Sequence, residues 1–274
     1  MPSPQLLAVV CARNEVQQID RCLGWLISQG FEVVLVDHAS SDGTRERAEA
    51  FLGQGLLRIE QLDWEGHFSL SAQLRCKQQI LASARHDWVA HFDADEAPQA
   101  SSGWADLQQV VRAADAAGFN CINFDEFVLL PPPQTPDRDC RRPFTGAFRH
   151  YYYFRPHHPR LMRLWRRDAG FSNLAAGGHG LQGGELNCFP QDQILKHYIV
   201  LSRQAALDKY LQRVFSPEDL QRGWHGNRVS IQAEGIDAYF AGQTAAGRLF
   251  CLPTPESTEV DRSAPQRTHF WAWS

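Results

Sequence analysis

Over the first hundred positions apolar residues arrive in short runs, and each run gives way to a longer stretch in which they recur every third or fourth place. The runs Leu6–Cys11, Phe31–Asp37, Leu57–Gln61 and Trp88–Phe92 are too short for helices and predict strands. Between the first two, Ile19, Leu23, Leu26 and Ile27 fall on one helical face, and Gly30 stands where a helix stop belongs. Such alternation is the pattern of βαβ units, whose strands line up in a mostly parallel sheet with helices packed on it. Beyond Phe119 the pattern changes. An apolar run, Cys121–Leu130, ends in Pro131, Pro132 and Pro133, and a stretch rich in arginine and aromatics follows. Leu161–Trp165 predicts another strand, Phe171–Glu185 a glycine-rich loop and Gln204–Arg213 a helix, while from about Pro217 no period is visible. The fold class read from this is α/β: a mostly parallel, Rossmann-like sheet flanked by helices. The domains expected are 1–215, with halves at 1–100 and 101–215, and a smaller irregular extension at 216–274.

Composition narrows the functional classes. A chain of 274 residues, 43% hydrophobic, buries a core of its own, and its net charge of −4 gives no general attraction to nucleic acid or acidic membrane. Any basic partner site is therefore local. Seven cysteines, scattered and without a CxxC pair, argue against a disulfide framework or a zinc knuckle and read as reduced thiols. No basic leader precedes Leu6–Cys11, and no apolar stretch approaches the roughly 18 residues that span a bilayer. The expectation is a cytoplasmic protein without a transmembrane segment.

Candidate chemistry gathers just past the predicted strands. In His91-Phe92-Asp93-Ala94-Asp95-Glu96 two carboxylates stand two apart, and in extended backbone positions i and i+2 face the same side. Asp93 and Asp95 can thus converge on one hard cation, Mn²⁺ or Mg²⁺, completed by phosphate oxygens. An acidic, solvated turn would look the same in isolation. Two more polar clusters, Ala12-Arg13-Asn14-Glu15 and Asp37-His38-Ala39-Ser40-Ser41-Asp42-Gly43-Thr44, follow the first and second strands, where open α/β sheets bind ligands. The second also reads as a turn and helix start, with Asp42-Gly43-Thr44 shaping the loop and Asp37 facing ligand.

Asn14-Glu15, Val36-Asp37-His38-Ala39-Ser40-Ser41-Asp42-Gly43-Thr44 and Asp93-Ala94-Asp95-Glu96, in this order and spacing, resemble family 2 glycosyltransferases across about residues 5–100. The resemblance implies a GT-A fold, a nucleotide-diphosphate sugar donor, most commonly a UDP-sugar, a divalent metal, and inversion at the anomeric carbon. It also implies a saccharide or lipid-linked acceptor, as in polysaccharide biosynthesis. Carried onto this chain, it assigns the donor to Ala12, Arg13, Asn14, Glu15, Asp37, His38, Arg75, Asp93, Ala94 and Asp95, with Asp93 and Asp95 on the metal. His38 replaces the second acidic position of the family's strand-two motif, and Lys77 competes with Arg75 for the phosphate. Later, Leu195-Lys196-His197-Tyr198 followed by Ser202-Arg203 is similar to a subgroup in which a late strand ends in His-Tyr. That likeness implies His197 as third metal ligand.

Direct displacement needs a general base for the acceptor hydroxyl. His179, in Gly177-Gly178-His179-Gly180, Glu126 and Asp192 are the leading candidates, with Glu96, Asp125 and Glu185 behind them. The arginines and aromatics between Arg138 and Arg167 admit two readings: an acceptor-side surface stacking on sugars and meeting anions or the inner face of a membrane, or a flap with aromatics in the core. The net-acidic chain disfavours nucleic acid as their partner. Two rival functions remain: a nucleotidyltransferase, disfavoured because the loop after strand one is not glycine-rich, and a non-catalytic nucleotide-sugar-binding protein.

Overall fold

The computed structural model describes residues 3–274 apart from positions 138, 140, 141, 145, 146, 226 and 227; Arg138 and Arg141 of the arginine-rich stretch and Cys140, one of the seven cysteines, lie outside the described residues. Strands β1 (Leu6–Ala12), β2 (Phe31–Asp37), β3 (Leu56–Gln61) and β4 (Trp88–Asp93) run parallel in the order β3-β2-β1-β4. Helices α1 (Ile19–Ser28), α2 (Thr44–Glu49) and α3 (Leu70–Ser83) are their crossovers, and α4 (Leu107–Ala116) follows β5 (Glu96–Gln99). Both faces of the sheet are covered, as parallel sheets require. Alternate residues of β1 feed two cores: Leu6, Ala8 and Val10 pack beneath α1 and α4, and Leu7, Val9 and Cys11 beneath α3. α1 buries Ile19, Cys22, Leu23 and Leu26 and stops at Gly30, whose φ of 90° suits a residue without Cβ.

The sheet continues through antiparallel strands: β8 (Leu161–Arg166) on β4, β6 (Cys121–Leu129) on β8, β7 (His150–Phe154) on β6, and β10 (Phe250–Cys251) on β7. β7 and β8 lie antiparallel to successive halves of β6, interrupted at residues 155–160. β9 (Gln193–His197) runs parallel to β6 and antiparallel to β5. The aromatics of the arginine-rich stretch take the core reading: Tyr151, Tyr152 and Tyr153 are all buried, so they are not a sugar-stacking surface. Tyr152 points to one core and its two neighbours to another, the period of a strand covered on both faces.

Residues after 216 fold on the same strands. α5 (Arg203–Leu211), α6 (Pro217–Gln221), α7 (Ala233–Phe240) and a short 3₁₀ turn at Phe270–Ala272 bring Ile236, Tyr239, Phe270 and Trp273 against Val128 and Tyr152. Among the described residues no helix is long and apolar enough to cross a membrane. The described cysteines Cys11, Cys22, Cys76, Cys121, Cys188 and Cys251 carry free thiols.

Candidate active site

Register in the parallel half puts the polar clusters side by side: Ala12 pairs with Asp37 and Cys11 with Asp93, so three neighbouring strands end in one row. Past that row the first two loops are stitched together. The Asn14 and Ser41 amides donate to Ser40 Oγ (3.0 Å) and Asn14 Oδ1 (2.8 Å). Glu15 N donates to Thr44 Oγ1 (2.8 Å), and Val16 N to Asp42 Oδ2 (3.1 Å). Asn14 and Ala39 hold left-handed backbone, φ 55° and 52°, a conformation that costs a non-glycine residue of the order of 1 kcal/mol and that these bonds maintain. Arg13 donates to the carbonyls of His38 (2.7 Å) and Ala39 and lays its guanidinium over Trp64, 3.6 Å from the ring centroid.

Here a pocket of about 960 Å³ opens, at the upper end of the size of small-molecule sites. One wall includes Arg13, Asn14, Glu15, Asp42 and Trp64, and the floor Asp93, Ala94 and Asp95. Asp93 is held from behind by cations: Lys77 Nζ lies 3.5 Å from Oδ1 and Arg163 Nη2 3.3 Å from Oδ2. Burial alone would raise its carboxyl, but Lys77 and Arg163 outweigh that and hold it well below the ordinary range. Asp95 takes Lys209 Nζ at 2.6 Å and His197 Nε2 at 3.4 Å, and it too is kept ionised against burial. His197 sits between two carboxylates, its Nδ1 2.6 Å from Glu126. Burial would lower it, yet Asp95 and Glu126 together raise it to about 10, so the imidazolium is the favoured form here. Beneath them His91, fully enclosed with Lys77, Arg163 and Asn173, is pushed down to about 3 by burial and those cations and stays neutral.

Arg163 owes its direction to a bulge. Ile122 pairs with Leu164 and Asn123 with Met162, so Arg163 has no opposite number on β6. An extra residue of this kind re-aims a side chain, a device common beside active sites. Its guanidinium, 2% exposed, reaches Glu96 Oε1 (2.8 Å), Asp93 and the Gly178 carbonyl (3.0 Å). The far wall comes from the glycine loop at Ala176, Gly177 and His179, from Arg160, from Lys209 on α5 and Arg213 just beyond it, and from Trp224, Arg228, Arg267 and His269.

Of the residues singled out in the sequence, Arg13, Asn14, Glu15, Asp93, Ala94, Asp95, His179 and His197 meet at this pocket. Ala12 is buried in the strand, giving its carbonyl to His38 N (2.8 Å). Asp37 is 2% exposed and turned into its own loop, accepting from Ser40 N at 3.2 Å, with Asp42 at the pocket instead. His38 is buried against Gln73 and the edge of Trp64. Arg75 points outward to Glu218 (2.9 Å), and its competitor Lys77 is the one that reaches Asp93. Glu126 lies behind the wall, 3% exposed, bonded to Arg160 and His197. Asp192 binds His158 and Asn123 away from the pocket, Glu96 is buried behind Asp93, and Asp125 holds Tyr153 and Arg262. Trp64, Arg163 and Lys209 were not singled out as site residues; Trp64 carried a signal, an indole in a short polar loop just beyond the third strand.

Comparison with known proteins adds the following. The model of the family described as Glycosyl transferase family 2 matches residues 7–169. A TPR repeat-containing protein of Synechococcus elongatus is 25% identical over 118 residues, which cover 43% of this chain and 27% of that protein, so the chain spans about a quarter of the curated relative's length. Among solved structures, S. aureus TarS is 13% identical, covering 87% of this chain and 43% of that one with a TM-score of 0.41. TarS 1–349 in complex with UDP-GlcNAc is 14% identical, covering 87% and 72% with a TM-score of 0.43.

Proposed function

Because the chain belongs to glycosyltransferase family 2, we propose that it moves a sugar from a nucleotide-diphosphate donor, a UDP-sugar, to a saccharide or lipid-linked acceptor with inversion. The observation that carries this is the row of β1, β2 and β4 ends: Arg13 and Trp64 at one side of the pocket, Asp93 and Asp95 on its floor. Trp64 and Arg13 offer a flat, cationic wall for the base.

A divalent cation suits this floor in part. Asp93 and Asp95 are ionised oxygen donors, and Mg²⁺ or Mn²⁺ is commonly held by one or two carboxylates with phosphate and water completing the shell. Among the described residues no group of three or more His, Cys, Asp or Glu is arranged to hold a metal by itself. His197 would join only after losing its proton. A bound cation would neutralise charge on the departing nucleoside diphosphate. Lys209 and Arg163, behind the same carboxylates, keep the floor ionised and fixed. Of the three leading base candidates His179 alone lines the pocket, and it is our choice to take the acceptor proton.

The test is thermal stabilisation by UDP, GDP, CMP and dTDP with and without Mn²⁺, since a ligand of the folded state raises its stability. A Mn²⁺-dependent shift with UDP, lost in Asp93→Asn together with transfer, is the expected result. UDP binding that is unchanged by Mn²⁺ and by Asp93→Asn would overturn the metal reading, and no shift with any nucleotide would overturn the donor reading.

A further inference from the structure

The charges around the pocket are unevenly matched. Arg160 is met by Glu126, Arg163 by Glu96 and Asp93, and Lys209 by Asp95. Three further guanidinium groups line the pocket from its C-terminal wall: Arg213, Arg228 and Arg267. Among the described residues none of them has a carboxylate within the 4.0 Å of an ion pair. Arg213 is half-buried with its guanidinium over Phe68, 4.6 Å from the ring centroid. Arg228 is half-buried as well, and its amide donates to the His225 carbonyl (2.7 Å). His225 holds φ 63° and stacks on Phe215, ring centroids 4.4 Å apart. Burial first and Arg228 second lower the Arg213 pKa, while Glu15 and Asp95 pull it up. Arg267 is exposed.

Among the described residues Glu15 and Asp95 attract Arg213 only from beyond ion-pair distance, so half-buried Arg213 and Arg228 still oppose one another. That opposition becomes attraction when an anion with several oxygens arrives, because guanidinium forks pair with phosphate in charge-assisted bonds. On the proposed reading a divalent cation held by Asp93 and Asp95 would take the donor's diphosphate at the floor. That leaves the arginines for an anion on the other substrate. Resting on the glycosyltransferase reading, we propose that Arg213, Arg228 and Arg267 form an anion subsite that selects a phosphate-bearing acceptor.

The experiment keeps the donor site saturated with UDP and Mn²⁺ and titrates inorganic phosphate while following the melting temperature, against sodium chloride of equal ionic strength. Wild type should show a further, saturable rise. In Arg228→Gln, and in Arg213→Gln with Arg228→Gln, the apparent phosphate affinity should fall by about tenfold or more, the loss of a charge-assisted bond. The UDP shift should be kept in both, and their melting temperatures without ligand report folding. A UDP shift with no phosphate-specific rise overturns the subsite alone. Variants that lose UDP and phosphate responses together also overturn it, because the arginines would then serve the donor. Absence of any UDP shift in wild type overturns the donor reading on which the subsite rests, and the separate phosphate arm tells the two failures apart.

Discussion

Trp64 offers a sharp perturbation of the proposed donor site. In Trp64→Ala the guanidinium of Arg13 loses the ring it covers at 3.6 Å but keeps the carbonyls of His38 and Ala39, so its position is weakened and not abolished. The lost cation–π contact is worth about 0.5–2 kcal/mol. A base stacked on an aromatic contributes about 1–3 kcal/mol by alanine substitution, and that larger quantity sets the expectation of UDP binding weaker by about 5- to 150-fold. Base contacts are the same in ground and transition states, so KM for the donor should rise while kcat holds. Trp64→Phe, which keeps a face, should recover most of the affinity. Isothermal titration with UDP and Mn²⁺, paired with initial-rate kinetics, reads both numbers. UDP affinity within twofold of wild type, or a kcat loss at unchanged KM, would show that the base lies elsewhere and refute the assignment of this wall.

Two further predictions concern stability. In metal-free buffer, stability should be nearly level from pH 5 to 7 and fall above it. Burial holds His91, His225 and His269 at about 3, 4 and 3, so each loses about 2 kcal/mol by pH 5 as the unfolded chain binds protons. Burial raises Glu15 and Glu96 to about 7, and each gives back about 2 kcal/mol over the same range. His197, raised to about 10, works opposite to those histidines: its contribution is complete below 6.5 and is lost as pH climbs toward 10, about 2 kcal/mol between pH 7 and 9. Urea midpoints from pH 5 to 9 trace the level stretch and the alkaline limb; Glu126→Gln should flatten that limb, and an unaltered alkaline slope in the variant would sink the explanation. At Gly178 a Cβ would lie 2.8 Å from His91 Cε1 at φ +82°, so Gly178→Ala should cost about 2–4 kcal/mol in urea denaturation. Gly103→Ala, with φ +99° and open space, should cost only about 1–2, and equal losses would refute the steric part.

The parallel half was legible because its structure is local: each strand from Leu6 to Asp93 is a short apolar run, and the boundaries agree to within a residue. α4 was legible in retrospect, with Asp106 accepting from Gln109 N at 2.8 Å and Leu107, Val110, Val111 and Ala114 buried. The choice between Arg75 and Lys77 was legible too. Lys77 stands three residues after Leu74 and four before Leu81, on the buried face, whereas Arg75 is turned outward. Other parts had no local signal. The Tyr151–Tyr153 run is buried on both sides, so it shows no alternation, and its place beside β6 is a long-range pairing. Glu126 and Asp192 were carboxylates in the right stretch, but their partners, Arg160 and His158, come from the break between β7 and β8. Lys209 meets Asp95 across 114 residues, and no pattern along the chain encodes such a meeting.

The unmatched residue of β8 makes Arg163 surplus to the ladder. Ile122 with Leu164 and Asn123 with Met162 are complete pairs without it, so strand pairing alone gives no reason to retain an arginine between them. Substituting it and deleting it are then different injuries. Arg163→Ala keeps the bulge and leaves Glu96 buried at 1% exposure without its strongest partner. Removing the residue lets Met162 and Leu164 become neighbours, and the strand heals toward plain alternation at the expense of β8's register with either β6 or β4. The sheet could be built from one residue fewer; it is the carboxylates at the pocket that require the longer strand.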